Sequence, residues 1–337
     1  MKTDNSLIDT SKLLACINDT FTIGDMSLIR FIPKGEEGYC YYIEGEAGEC
    51  YFVKALHIQP HLEEALTMIQ RLNGDHGKSY ILPPLKTRKG KCSVLFDSYQ
   101  ISIYPFVHGE SLYECEITKE NRSYLAKIMA DFHSIDTNTF KKLPRETFNN
   151  PFEKNILHLL AMAKNGKCDT THYKQSVRDL LIQETDEIQA TLTKMRSMQK
   201  ELLTLPMQTA ITHGDPNYAN IMRDLQGELY LIDFADIGIG PVERDLMAFV
   251  EDNHFGSFLS IYVKDRPQTK LHIEIFEFYL YRWCLQEISD YSSQILEGRT
   301  GEVENEHAWM ELQAYLPIPH AEMMQRLWKI DEDIKSF

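Results

Sequence analysis

Paired-cysteine motifs are missing from this 337-residue chain. Its seven cysteines (Cys16, Cys40, Cys50, Cys92, Cys115, Cys168 and Cys284) contain no CxxC and are odd in number. A zinc knuckle and a closed disulfide framework are thereby excluded, and a reducing cytosol is the expected setting. No apolar run reaches bilayer-spanning length, and the opening MKTDNSLIDTSK lacks the basic start and apolar stretch of a signal peptide. A soluble, cytoplasmic protein with no membrane partner is expected. Positive charge is scarce as well: 35 Lys and Arg against 50 Asp and Glu leave a net charge of -15. Such a chain repels phosphate backbones, so no nucleic-acid partner is expected, whereas a small cationic molecule is favoured. There is no GxGxxG, no internal repeat and no low-complexity linker. The Gly-Lys-Ser of NGDHGKSY is not a Walker A loop, because the first glycine of that motif should stand where Leu72 is.

What is present is the usage of an ordinary globular protein, 43% hydrophobic and 25% charged, so a packed core is expected. LIRFIP, YCYYIE and CYFVKAL, between residues 28 and 56, are rich in aromatic and β-branched residues and separated by Gly-containing turns. They predict an antiparallel meander. HLEEALTMIQRLN follows with Leu62, Leu66, Ile69 and Leu72 at helical spacing, and Asn73-Gly74 supplies a stop. SVLFDS and QISIYPF are two more strands. Beyond YPFVHGES the periodicity becomes helical: at 125–135, from about 173 to 203, and over roughly 271–297 and 305–330. The expected architecture is α+β, a sheet-rich N-terminal lobe (1–107) with one main helix and a larger, mostly helical C-terminal lobe (108–337).

The chemistry concentrates in THGDPNYANIM (212–222) and the LYLIDFADIG that follows. His-x-Asp-x-x-x-x-Asn is the spacing of a kinase catalytic loop: the Asp accepts or orients the proton of the attacking hydroxyl, and the Asn oxygen ligates magnesium. Asp215 and Asn220 fill those positions, and Asp233 supplies the second metal-binding carboxylate. Singly, each reads as a turn-capping residue; jointly, the three at these spacings do not. The same reading demands a lysine on the third strand and a glutamate on the next helix. Lys54 sits inside the apolar YFVKAL, where an unpartnered ammonium is costly. Glu63 or Glu64 can supply the opposite charge, and Glu64 is preferred. His57 and His61 are separated by Pro60, which opposes a shared metal site, and solvent-facing histidines are expected. Phe276, Tyr279, Leu280 and Trp283 form a helix-core stripe. Glu274, Glu277, Glu287 and Asp290 are the acids available for a cationic substrate.

On YFVKAL, the Glu64 helix, IYPFVHG, LAKIMADFHS, THGDPNYANIM and LIDFADIGIGPVERDLM, the chain resembles the aminoglycoside phosphotransferase family, whose fold is protein-kinase-like. YPFVHG and GPVERDLM look most like the spectinomycin phosphotransferase branch. Choline, homoserine and methylthioribose kinases are similar in the same loop. The resemblance implies an ATP- and magnesium-dependent O-phosphotransferase acting on a small cationic molecule, an antibiotic such as spectinomycin first, with a metabolic kinase as the alternative. A nucleotide-binding module without transfer is a further alternative. In the implied site Asp215 is the base, Asn220 and Asp233 hold magnesium, and Lys54, held by Glu64, grips phosphate. Adenine lies on backbone groups of the Ile103–Val107 linker, including Ile103, Pro105 and Phe106, and Asp245 is a buried brace. Two features depart from the kinase pattern: the covering loop has only Gly35 and Gly38, and Ala235 stands where protein kinases carry Gly.

Overall fold

The computed structural model describes residues 8–33, 38–165, 171–250, 254–298 and 301–337. The chain divides into two compact units, one formed by residues 1–144 with 213–238 and the other by 145–212 with 239–337. The division expected after residue 107 falls inside the first unit.

Helix α1 (Thr10–Thr20) opens the first unit, capped by Asp9, whose carboxylate accepts the Lys12 N–H at 3.1 Å. The sequence reading placed no element here. The strands β1 (Met26–Ile32), β2 (Gly38–Gly45) and β3 (Cys50–His57) then run as the expected antiparallel meander. Next comes α2 (Leu62–Gly74), followed by β4 (Val94–Phe96) and β5 (Tyr99–Pro105). The sheet order is β1-β2-β3-β5-β4, so β3 is central and is flanked by β2 and β5. Alternation along the strands sends Tyr41, Ile43, Val53, Ala55, Ile101 and Ile103 to one fully buried face, where Leu13, Ile17 and Phe21 of the N-terminal helix region join them. Gly38, expected in the covering loop, lies in β2 against Leu56 and the Ala55 carbonyl; Gly35 lies outside the described residues.

Beyond the linker, β6 (Gly109–Ser111) and α3 (Lys119–Phe132) complete the first stretch of this unit. Gly109 is required by close approach, since a Cβ there would run into the Arg223 carbonyl of the partner strand. Thr118 and Asn121 form a capping box at the start of α3.

The second unit contributes α4 (Glu153–Asn165), α5 (His172–Gln183), α6 (Thr185–Leu202) and β7 (Thr209–Thr212). The single helix expected over 173–203 is two, because Glu184 leaves helical geometry at φ -90°, ψ 12°. The chain returns to the first unit with the hairpin β8 (Ile221–Asp224) and β9 (Leu229–Leu231), then continues through β10 (Gly238–Pro241), α7 (Glu243–Leu246) and α8 (Phe255–Asp265). The long α9 (Ile273–Leu296) buries Phe276, Tyr279 and Leu280 as its spacing predicts and leaves Trp283 half-buried. The stretch expected as one helix over 305–330 is α10 (Glu302–Ala314) and α11 (Ala321–Lys335), separated by Pro317 and Pro319. An antiparallel sheet in the N-terminal region and a mostly helical C-terminal part is therefore the observed arrangement. No helix among the described residues is long and apolar enough to cross a membrane.

Two buried carboxyl groups in the second unit behave oppositely. Burial alone would raise Glu146, but Arg282, Arg244 and the Tyr279 hydroxyl at 2.8 Å outweigh it and hold the group below the ordinary carboxylate range. Among the described residues no cation offsets the burial of Glu243; it accepts its own backbone N–H and the His272 N–H at 2.8 Å, and is pushed up to about 7. The folded state therefore holds the Glu243 proton where the unfolded chain has released it, so stability is full at acid pH and declines as pH rises from about 4.5 through about 7. Glu243→Gln removes that decline. Denaturant unfolding across pH should show the variant gaining on the wild type by roughly 3 kcal/mol at pH 8, and little gain at pH 4.5.

Candidate functional site

All three residues of the 212–233 motif lie in the first unit. The loop that carries them is built by backbone reversal: Gly214 has φ +98°, a conformation that favours glycine, and lets the chain turn directly after β7. Asn217 caps the short turn at 218–220 by accepting the Ala219 N–H at 2.8 Å, and its amide donates to Asp215 Oδ1 at 2.8 Å. Asn220 donates through Nδ2 to the Asp215 carbonyl at 2.9 Å and to Asp215 Oδ2 at 3.0 Å. With its NH2 committed to Asp215, the side-chain oxygen Oδ1 of Asn220 is the atom left for a cation.

His213, fully buried, ties this loop to the segment before Asp233. The Asp215 N–H donates to its Nδ1 at 3.3 Å, so the proton sits on Nε2, which donates to the Ile232 carbonyl at 2.9 Å. The Ile232 N–H in turn donates to the Asn220 carbonyl at 3.0 Å, and the Phe234 ring packs on His213 with centroids 4.3 Å apart. Asp233 between them adopts φ +62°, an uncommon conformation for a non-glycine residue. Asp215 is exposed at the surface, yet the protein mass around the loop partly desolvates its carboxyl and raises it; the Asn217 bond and His213 act the other way, and the charges of Asp236 and Asp233 add to the rise. A carboxylate with a raised pKa is a better proton acceptor than a free one.

Asp233 meets Lys54: the ammonium Nζ lies 2.6 Å from Asp233 Oδ1. Lys54 is 8% exposed, in a recess lined by Leu56, Leu62, Leu66, Ile69 and Phe234 together with Tyr104 and Asp233. The expected pair with Glu64 is not formed. Glu64 points to the exposed Lys142, at 3.1 Å, and Glu63 accepts the Cys92 N–H at 2.8 Å and the Ser93 hydroxyl. The reason is the rotation of α2: its apolar stripe, Leu62, Ala65, Leu66 and Ile69, faces Lys54 and turns both glutamates away.

In the linker, Ile103 is buried and its carbonyl accepts the Leu85 N–H at 2.7 Å, Pro105 has no N–H, and the Phe106 N–H points to the Cys50 carbonyl at 3.4 Å. Val107 makes no backbone hydrogen bond among the described residues. Sequence reasoning named the span but had no signal for which of its groups were taken. It also gave His213 no role, although the leading histidine of the motif was visible. In the second unit, Glu277 pairs with Lys194 at 2.5 Å and Glu287 accepts the Trp283 indole N–H at 3.0 Å, whereas Glu274 and Asp290 are exposed. Asp245 is fully buried, and His57 and His61 face solvent as expected.

The family model of the phosphotransferase enzyme family matches residues 28–267. Protein StrN of Streptomyces griseus is 24% identical over 332 residues, covering 95% of this chain and 97% of that protein. The crystal structure of spectinomycin phosphotransferase with ADP and spectinomycin has a TM-score of 0.75 at 17% identity, covering 96% of this chain and 98% of that one. The microcompartment-associated aminopropanol kinase has a TM-score of 0.61 at 17% identity, covering 97% and 99%. Matched over most of its length and sharing a protein-kinase-like fold with these solved structures, the chain belongs to the phosphotransferase enzyme family.

Proposed function

We propose that this protein is an ATP- and magnesium-dependent O-phosphotransferase whose acceptor is a small cationic molecule, an aminocyclitol antibiotic such as spectinomycin first. The observation that carries the reading is the joint placement of Lys54, Asp233, Asn220 and Asp215. Asp215 is the base. Its carboxylate oxygens accept from the amides of Asn217 and Asn220, and its raised pKa suits it to take or orient the proton of the acceptor hydroxyl. Lys54 holds phosphate, and the Val107 backbone is the natural place in the linker for the edge of the adenine.

The donor set fits magnesium. Asn220 and Asp233 offer hard oxygen ligands, and no group of three or more His, Cys, Asp or Glu suited to a metal occurs among the described residues. Magnesium is commonly held by one or two protein oxygens plus substrate phosphates, with no all-protein cage. When bound it supplies charge neutralisation across the triphosphate. The protein's own contribution is positioning and proton handling. The spectinomycin assignment draws support from the likeness to spectinomycin phosphotransferase over nearly the whole of both chains. The net charge of -15 favours a cationic acceptor. We keep the division into a nucleotide lobe at 1–107 and an acceptor lobe at 108–337, working in the cytoplasm.

Assayed with ATP and magnesium against spectinomycin, several aminoglycosides, choline, homoserine and methylthioribose, the protein should phosphorylate one class. Asp215→Asn should lower turnover on the order of a hundred- to ten-thousand-fold; transfer to none of these, or an undiminished mutant, contradicts the reading. Glu64→Gln should leave the KM for ATP within about twofold of wild type, because its exposed contact with Lys142 contributes only about 0–1 kcal/mol and does not reach Lys54. A large rise in that KM would restore Glu64 as the partner of Lys54.

A further inference from the structure

We propose that Cys50 and His108 form a nucleophilic pair, a site of covalent modification by a small organic disulfide, on the face of β3 that carries Lys54. What concerns nucleotide in this proposal rests on the phosphotransferase reading.

Alternation along β3 sends Val53 and Ala55 to the buried face shared with α1, and Cys50, Phe52, Lys54 and Leu56 to the other. Cys50 therefore begins the row in which Lys54 stands, about 13 Å from it along the strand. There the Cys50 Sγ lies 3.2 Å from His108 Nε2. Each partner is tied down independently of that contact. The Cys50 carbonyl accepts the Phe106 N–H at 3.4 Å and the His108 carbonyl accepts the Leu225 N–H at 3.1 Å, while the His108 ring meets Phe106 at 5.2 Å. His108 is exposed and Cys50 half-buried, so the sulfur is within reach of a reagent.

The other described thiols lack this combination. Cys40 and Cys92 are buried. Cys16 and Cys115 are half-buried, but they face the Thr20 hydroxyl at 4.0 Å and the Leu112 carbonyl at 3.9 Å, neither of them a base. Cys284 does meet a histidine, His320 at 3.8 Å, but in the core, where burial pushes its thiol up to about 12. Reactive cysteines are partly exposed and stand beside a group that takes or stabilises the loss of their proton.

With its proton on Nδ1, His108 can take the Cys50 proton at Nε2 as Sγ bonds to one sulfur of the disulfide. The S–S bond of the disulfide breaks, and the departing thiolate takes that proton from His108, so the exchange balances with no other oxidant. Glu44, the register partner of Cys50, carries a carboxylate that accepts the Tyr42 hydroxyl at 2.8 Å. A disulfide bearing ammonium groups is therefore favoured over an anionic one. The adduct stands at the linker end of the Lys54 face and competes with nucleotide for it.

Cystamine is the probe, read by intact-protein mass with peptide mapping across the seven cysteines. Wild type, Cys50→Ser, His108→Gln and His108→Asn are compared, each checked for fold by circular dichroism; the asparagine form covers a glutamine form that does not fold. The first adduct should map to Cys50, be lost in Cys50→Ser, and form about tenfold or more slowly in either His108 variant. First labelling at another cysteine, or an unchanged Cys50 rate in the His108 variants, overturns the pair. Saturating ADP should slow the labelling of wild type, its binding being measured separately by equilibrium dialysis. ADP that binds without slowing the labelling overturns the competition; ADP that does not bind contradicts the phosphotransferase reading, while the His108 dependence still decides the pair.

Discussion

One buried ammonium organises this site. Lys54 is placed in the middle of an apolar strand at the centre of a five-stranded sheet, and only a carboxylate at bonding distance makes that location tolerable. The carboxylate comes from Asp233, 179 positions later in the chain and just past a hairpin strand. Every nearby arrangement serves to hold that meeting. His213, in a single tautomer, joins the loop of Asp215 to the carbonyl of Ile232, and the Ile232 N–H returns to Asn220. The three motif residues are thereby fixed relative to one another by hydrogen bonds confined to 213–233.

Much of the fold was legible because alternation and helical spacing are strong signals where one face is buried. The meander of β1 to β3, the α2 stripe and the buried face of α9 all follow from that pattern. Helix α1 was missed because its apolar residues form one short run, Leu13–Ile17, that shows no repeated helical spacing; it becomes a clear element only where Leu13 and Ile17 pack against the sheet. Likewise the break at Glu184 leaves no proline or glycine in the sequence to announce it, whereas Pro317 and Pro319 were signals that the reading of 305–330 as one helix passed over.

The candidate loop at 212–222 was legible because its spacing is local. The partner of Lys54 was not, since it depends on how α2 is rotated over the sheet. Yet the signal was present: the same stripe that predicts the helix turns positions 63 and 64 away from Lys54 and places Ala65 toward it. Motif analogy overrode helical geometry there. The linker shows a different limit, because which backbone groups remain open at 103–107 is set by Leu85 and Cys50, residues distant in sequence.

The account stands on phosphoryl transfer to a carbon-bound hydroxyl, as distinct from nucleotide hydrolysis. Phosphorus-31 NMR of a reaction holding ATP, magnesium and spectinomycin tests this most directly. The account predicts ADP and a new phosphomonoester resonance, coupled to a sugar-ring proton, growing in equal amounts. Inorganic phosphate appearing with the ADP and no phosphoester would contradict it.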